Sequence, residues 1–362
     1  MQFKRSFLEV KKYGKQVKIN YNISNLQQFV DAFSLSIITG ISPITYYQYQ
    51  LFHPTRRAKR WEFLDDSGKL LQVLAQRLSK CPDDIIFTNK AAFSFWCNLR
   101  GLEKVDDCIL VSPVPTETVW KSFPLIDLIS KPTSERAGKG IEIHFYRIDS
   151  DNNPLWEGAD GVIRSTKELQ MYLQKQSFEN GYSIIVQPRL LNHQKIRLMG
   201  NGYLSTIRIV TVRDKQMRHA EPLAMVLRIP IGNTIVDNFD QGSLACAIDL
   251  DTGKCGCAIQ KKGIYSLRLL DSNPETGVAI EGQVLPFWNE AIHLSLSAHE
   301  QLNSALPIIG WDIAVLEDGP VLIEANHLPG ERLMQMPSGM PLGNTIYPMV
   351  LCRSLQNAFS GS

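Results

Sequence analysis

The order of apolar and polar positions divides this chain into a helical opening and a long run of short strands. Over residues 1 to about 80, Leu26, Phe29, Val30 and Phe33 recur at helical spacing, as do Leu70, Leu71, Leu74 and Leu78. Such spacing predicts amphipathic helices with these residues turned inward. Asp84–Lys90 then reads as a short strand followed by a helix through Phe93, Phe95, Trp96 and Leu99. Beyond it, strands are expected at 123–131, 140–147, 183–189, 205–212 and 224–230, and Ile248 to Gly253 reads as a hairpin turn. Ala291 to Leu302 carries a helical pattern again.

The most informative stretch is near the end. Gly310–Leu316 and Val321–Asn326 are apolar runs flanking Glu317-Asp318-Gly319-Pro320, a hairpin signal. Side chains alternate along a strand, so Leu322, Glu324 and Asn326 share a face, and Asp312 is the only charge on the preceding strand. A two-residue turn at Asp318-Gly319 sets Asp312 opposite Ala325, on the wrong face. A three-residue loop pairs Glu317 with Val321, sets Asp312 opposite Asn326 and Ala314 opposite Glu324, and collects the oxygen donors on one face. Pro320 has no N–H for the shorter pairing, so the longer loop is expected. Asp, Glu and Asn together offer the ligands a hard cation requires, although two polar residues ending a strand at the surface would read the same way.

Other polar residues stand out against apolar surroundings. Arg208 projects from Thr206–Val212, and Arg228 from the next strand. A buried arginine needs an anion, so Arg208 belongs either to a structural pair or to a site. Lys90 lies at a strand-to-helix junction and Lys131 closes a strand, both places from which a cation can reach a phosphate. Between Lys131 and Ile141, Ser134, Gly138 and Gly140 make a loop able to turn backbone N–H groups onto phosphate oxygens, although an ordinary hairpin has the same composition. It is neither a Walker loop nor a dinucleotide fingerprint. Gln187-Pro188 ends a buried strand, and Asn238 lies in a polar loop.

Composition narrows the class. At 362 residues, two or three subdomains are expected, and 44% apolar with 20% charged residues describes an ordinary globular protein. A net charge of +2 with no basic tail gives no case for nucleic acid. Seven scattered Cys, without a signal peptide, predict reduced thiols and a cytoplasmic setting; Cys255-Gly-Cys257 lacks a second pair for a metal. No apolar run reaches membrane-spanning length. His53–Trp61 is a basic cluster with an aromatic, read as a solvated surface or as a contact for an acidic substrate, partner or membrane.

Taken in order, a junction lysine, a strand-Lys-Gly-loop-strand, a strand ending in Gln-Pro, two strand arginines and Asp…Glu-x-Asn resemble the ATP-grasp enzymes. The resemblance is closest to the sugar-transfer-associated branch, related to the glutamate-ligase type, over about residues 80 to 335. It implies an α/β (α+β) ATP-grasp fold with two subdomains clamping ATP and an N-terminal helical extension. The expected divisions are 1–82 (helical), 83–122 (linking segment), 123–190 (smaller subdomain with the phosphate loop) and 191–362 (subdomain with the Mg2+ site).

By resemblance, Lys90 and Lys131 hold the ATP phosphates, and Ser134, Gly138, Lys139 and Gly140 form the loop over them. Gln187 and the backbone near Arg189 correspond to the adenine hinge. Arg208, Arg228 and Asn238 act on phosphate and substrate, and Asp312, Glu324 and Asn326 bind two Mg2+ ions, or Mn2+ in their place. Two departures stand out: Gly242 is followed by Ser243 rather than a second glycine, and Gln187 replaces a more common Glu. The implied activity is ATP-dependent joining of a small-molecule carboxylic acid to an amine through an acyl phosphate, releasing ADP. The branch name associates it with cell-surface glycan or specialised-metabolite synthesis. A kinase acting on a small-molecule hydroxyl, or a nucleotide-binding module without turnover, are the alternatives.

Overall fold

The computed structural model describes residues 2–65, 72–74, 76, 82–135, 138–232, 237–261, 263, 267–302 and 306–360. The chain opens with four helices, α1 (Gln2–Tyr21), α2 (Asn25–Ile38), α3 (Pro43–Gln48) and α4 (Pro54–Arg57). Ser24 and Ser42 cap α2 and α3 by accepting from backbone N–H groups two turns' ends would otherwise leave unmet. The helical expectation holds, but α2 turns the opposite way. Gln28, Asp31, Ala32 and Leu35 are buried, whereas Leu26 and Val30 are exposed. Polar residues tolerate this because each is satisfied: Gln28 donates to the carbonyls of Gly14 and Ile23, and Asp31 pairs with Arg57. Leu74 is buried, while Leu70, Leu71 and Leu78 lie outside the described residues.

Residues 82–87 form a 3-10 helix, not the expected strand. Thr88 and Asn89 donate back to the Ile85 carbonyl, which leaves Ile86 and Phe87 packed in the main core. Asn89 then caps α5 (Lys90–Leu99) by accepting from Ala91 and Ala92. Next come β1 (Ile109–Val111), β2 (Leu128–Pro132), β3 (Glu142–Ile148), β4 (Pro154–Gly158), β5 (Ile163–Ser165), α6 (Thr166–Asn180) and β6 (Ile184–Pro188). β2 is shorter than the run expected from residue 123. These strands make an antiparallel sheet in the order β1-β6-β2-β3-β4-β5, with Leu169 and Leu173 of α6 in its core.

The second half contributes α7 (Gln194–Met199), β7 (Thr206–Val212), β8 (Glu221–Ile229), β9 (Leu244–Ile248), β10 (Cys255–Lys261) and β11 (Leu267–Leu270). It closes with α8 (Trp288–Glu300), β12 (Ile308–Leu316), β13 (Gly319–Asn326), α9 (Glu331–Ser338) and α10 (Tyr347–Ser360). The seven-stranded sheet runs β11-β10-β9-β8-β7-β12-β13, all antiparallel. Period-2 burial divides its side chains. Ile207, Ile209, Leu227, Trp311 and Ile313 face a core shared with α5 and α8. On the other face, Val226, Ala245 and Ile259 pack with Tyr46, Phe52 and Met336, so the N-terminal helices and α9 cover that side. Gln335 of α9 ties this layer by donating to the Leu64 carbonyl at 3.0 Å and accepting from Leu64 N at 3.0 Å.

Candidate active site

The hairpin of β12 and β13 does not use the longer loop. Leu316 pairs with Gly319 across a two-residue turn at Glu317-Asp318, and the glycine carries a φ of +138°. β13 is the edge strand, where a proline such as Pro320 forfeits little of the ladder. A regular ladder from this turn would set Asp312 opposite Ile323. A bulge between Asp312 and Ile313 restores the face instead, and Asp312 pairs with Glu324, Gly310 with Asn326. The oxygen donors therefore share one face, by a different register from the one expected.

On the other side of β12, Asp312 pairs with Arg208 of β7, so Arg208, Asp312 and Glu324 form one rung across three strands. Both Asp312 oxygens accept from Arg208: Nε reaches Oδ1, and Nη2 reaches Oδ2 at 2.9 Å. Arg228 of β8 adds a contact from Nη2 to Oδ2 at 2.9 Å and lies 3.5 Å from Asp237. Thr206 accepts from Arg228 and donates to Asp237. Gly310 is what allows the Arg208 side chain to lie here. A Cβ at Gly310 would sit 2.9 Å from Arg208 Cδ and 2.8 Å from Pro329 Cβ.

Charge in this cluster follows from enclosure and pairing. Burial disfavours the Asp312 carboxylate, but Arg208 and Arg228 overrule it and hold it well below the usual range. Burial and the neighbouring Asp312 push Glu324 up. Burial likewise raises Asp237, with Arg228 opposing. Burial works against the Arg228 guanidinium too, yet Asp237 and Asp312 keep it firmly charged.

The facing wall comes from the six-stranded sheet. Lys131, near the end of β2, is buried, and burial depresses its ammonium to about 8 against the pull of Glu324, with Lys90 adding to the depression. Lys90 donates its backbone N–H to the Thr133 carbonyl and its side chain to the Glu135 carbonyl, so the start of α5 anchors the loop after β2. Gly138 and Gly140 take φ of +76° and +70°, and Arg136 and Ala137 lie outside the described residues.

Between the walls is a cleft of about 370 Å³, within the range of small-molecule sites. Lys90, Lys131, Gly138 and Lys139 line it from one side, and Arg208, Arg228, Asn238, Asp312, Glu324 and Asn326 from the other. Four expected residues are not on its lining. Ser134 and Gly140 are exposed beside it. Gln187 is in register with Ile129, which does line the cleft, but its carboxamide donates to Asp107 at 2.7 Å. Arg189 pairs with Asp127 at 2.9 Å and rests against Phe145 and Tyr203. Reading the sequence missed Thr206, Asp237 and His327, all on the lining. Thr206 was findable, since it lies two residues before Arg208 on the same strand face.

Over residues 86–347 the chain matches the family described as sugar-transfer-associated ATP-grasp. The chain belongs to that family. Its fold is accordingly the ATP-grasp fold, with the cleft lying between the two sheets. Among solved structures, D-alanine–D-alanine ligase from Bacillus anthracis shares 13% identity, with 76% of this chain and 70% of that one covered and a TM-score of 0.38. The Helicobacter pylori D-alanine–D-alanine ligase shares 15%, covering 80% and 69%, at 0.41. An L-amino acid ligase from Bacillus licheniformis shares 14%, covering 75% and 47%, at 0.38. A comparison with curated proteins found no match. No helix among the described residues is long and apolar enough to cross a membrane.

Two observations bear on whether this ATP-grasp chain can hold Mg2+. The donors are all hard oxygens, and Asn326 lies beside Glu324, Nδ2 to Oε1 at 3.4 Å. The raised Glu324 is the signature of adjacent buried carboxylates, and a dication there would relieve it. Asp312 is the constrained member. A carboxylate offers about four lone-pair directions, and three accept from guanidinium N–H groups. The set fits a cation held chiefly by Glu324 and Asn326, with Asp312 supplying at most one direction. Among the described residues there is no group of three His, Cys, Asp or Glu arranged for a metal.

Proposed function

We propose that this ATP-grasp protein is an ATP-dependent ligase that joins a small-molecule carboxylic acid to an amine. The observation that carries the reading is one cleft with cations on one wall and the Arg208-Asp312-Glu324 rung, with Asn326 beside it, on the other. ATP brings about four negative charges, which repel an incoming carboxylate unless cations neutralise them. Lys90 and Lys131, on the cleft lining, would meet the phosphates, and the loop of Gly138 and Lys139 would cover them and limit water. Glu324 and Asn326, with Asp312, would hold Mg2+, which when bound supplies charge neutralisation at the phosphate oxygens.

In the proposed reaction a carboxylate oxygen of the substrate attacks the γ-phosphorus. A new O–P bond forms, the bond to the β-phosphate oxygen breaks, and ADP leaves with the electron pair. The amine nitrogen then attacks the acyl carbon, phosphate departs, and the nitrogen loses a proton to solvent. Arg228 faces the site with a charge its partners keep fixed, as electrostatic stabilisation of the transferring group requires. Arg208 gives three of its five N–H groups to Asp312 and the Pro329 carbonyl, and its role in this reading is to hold that carboxylate.

The test is ADP and phosphate release from purified protein with Mg-ATP and pooled carboxylic acids, with hydroxylamine as trapping nucleophile. A hydroxamate that depends on one acid supports the ligase and names its first substrate. ADP release with neither hydroxamate nor free phosphate replaces it with a kinase.

A further inference from the structure

Helix α2 is apolar on two sides. One side packs into the N-terminal core through Ala32 and Leu35. On the other, Leu26, Phe29, Val30, Phe33 and Ile37 follow helical spacing, with Leu26 73%, Val30 51% and Ile37 61% exposed. No charged residue interrupts that stripe. Phe3 of α1 extends it, its ring 5.0 Å from Phe29 and 5.8 Å from Phe33, and Phe7, one turn on, is 57% exposed. Scattered exposed apolar residues need no explanation, but a contiguous stripe of large ones marks a contact surface.

Charge identifies the occupant. α1 carries six Lys or Arg against a single Glu, and Lys4, Arg5, Lys11, Lys12, Lys15 and Lys18 are all exposed. Residues 1–65 hold ten basic and four acidic side chains, while the whole chain is only +2. Arg57 and Arg60 pair with Asp31 on the buried side of α2, so the basic charge next to the stripe is that of α1. A water-soluble protein partner could match the apolar stripe alone. A bilayer with anionic headgroups matches both features, since large apolar side chains enter the headgroup boundary while Lys and Arg stay at the phosphate level.

We propose that the α1–α2 face docks this protein onto an anionic lipid surface, lying in the interface without crossing it. The face is built from residues remote in sequence from the cleft, so docking stands or falls independently of the ligase reading.

The full chain is to be sedimented with phosphatidylcholine vesicles with and without phosphatidylglycerol, at low and high salt. Binding is expected only to the anionic vesicles and should weaken with salt. Val30→Glu with Ile37→Glu should cost at least tenfold in vesicle affinity, with an unchanged thermal melt because both side chains are exposed. Lys11→Ala with Lys15→Ala should cost about 30-fold, at about fivefold per basic residue near the surface. This second pair leaves the apolar stripe intact, so it reads the electrostatic part even if the first pair perturbs folding. The proposal is overturned if anionic vesicles leave the protein in solution, or if both variant pairs bind like the parent. A concentration-dependent dimer that Val30→Glu with Ile37→Glu dissociates, in protein that ignores vesicles, would assign the face to a second copy instead.

Discussion

On the seven-stranded wall of the cleft, Arg208, Asp312 and Glu324 are neighbours because three strands hold them in register. On the six-stranded wall, Lys131 stands near a strand end, while Lys90 and Lys139 arrive from a helix start and a loop. The first wall balances its charges internally. Asp312 is held by two guanidiniums, and Arg228 is matched by Asp237 and Asp312. The second concentrates cations, and there burial, with Lys90 adding to it, depresses the Lys131 ammonium to about 8. A wall that is already paired gives up little and reorganises little when charge develops. One with closely spaced cations gains most from an incoming polyanion. The difference separates a preorganised scaffold from a receiving surface.

Breaking the paired wall should have the largest effect. Asp312→Ala leaves Arg208 and Arg228 buried beside an empty place, and a loss of about 3–5 kcal/mol is expected in denaturant unfolding. An unchanged midpoint would mean the pairing is incidental. Glu324→Gln keeps shape and burial but removes a charge, so turnover should fall about 10²–10³-fold with the melting curve intact. Full activity would remove Glu324 from any metal site. These two variants separate holding from acting on one rung.

On the receiving wall the sign should reverse. Lys131→Met takes a buried ammonium out of the fold, so thermal stability should rise while nucleotide affinity drops about 10–100-fold. A melt that falls instead would show that Lys131 is a structural cation. The folded ammonium titrates near 8, below its unfolded value of 10.5. Between those values the unfolded chain binds more protons, so this group makes stability rise with pH there. Nucleotide affinity should move the other way, falling as pH passes about 8, and the dependence should vanish in Lys131→Met. The smallest effect tests how the rung is packed. Gly310→Ala meets Arg208 Cδ and Pro329 Cβ below contact distance, and about 1–3 kcal/mol should be lost, with turnover reduced. Normal turnover in a folded Gly310→Ala protein would mean Arg208 has room to move.

Much of the site could be read from spacing. Period 2 put Glu324 with Asn326, and an arginine amid β-branched residues demanded an anion, which Asp312 supplies. Gln187 and Arg189 are a different case. Their strand is legible, but Asp107 and Asp127 lie about 60 or more residues away in the chain, and their bonds turn both side chains from the cleft. The segment from Asp84 toward Lys90 reads as a strand because a short apolar run fits either local form, and only backbone donation to Ile85 chose the 3-10 helix. Asp237 and His327 had no periodic signal at all, since both lie in loops.

By itself, the sequence marked Arg208, Arg228, Asp312, Glu324 and Asn326 as polar residues on apolar strands, because hydrophobic period is a local property of a chain. Two decisions belonged to the tertiary structure. One was the bulge that sets Asp312 beside Glu324, which depends on β12 being held by β7 on its other edge. The other was the outward turn of Leu26 and Val30. A helix that is apolar on two sides does not say which it buries, and bonds from Gln28 to Gly14 and from Arg57 to Asp31 made that choice by satisfying polar groups only the folded chain brings together.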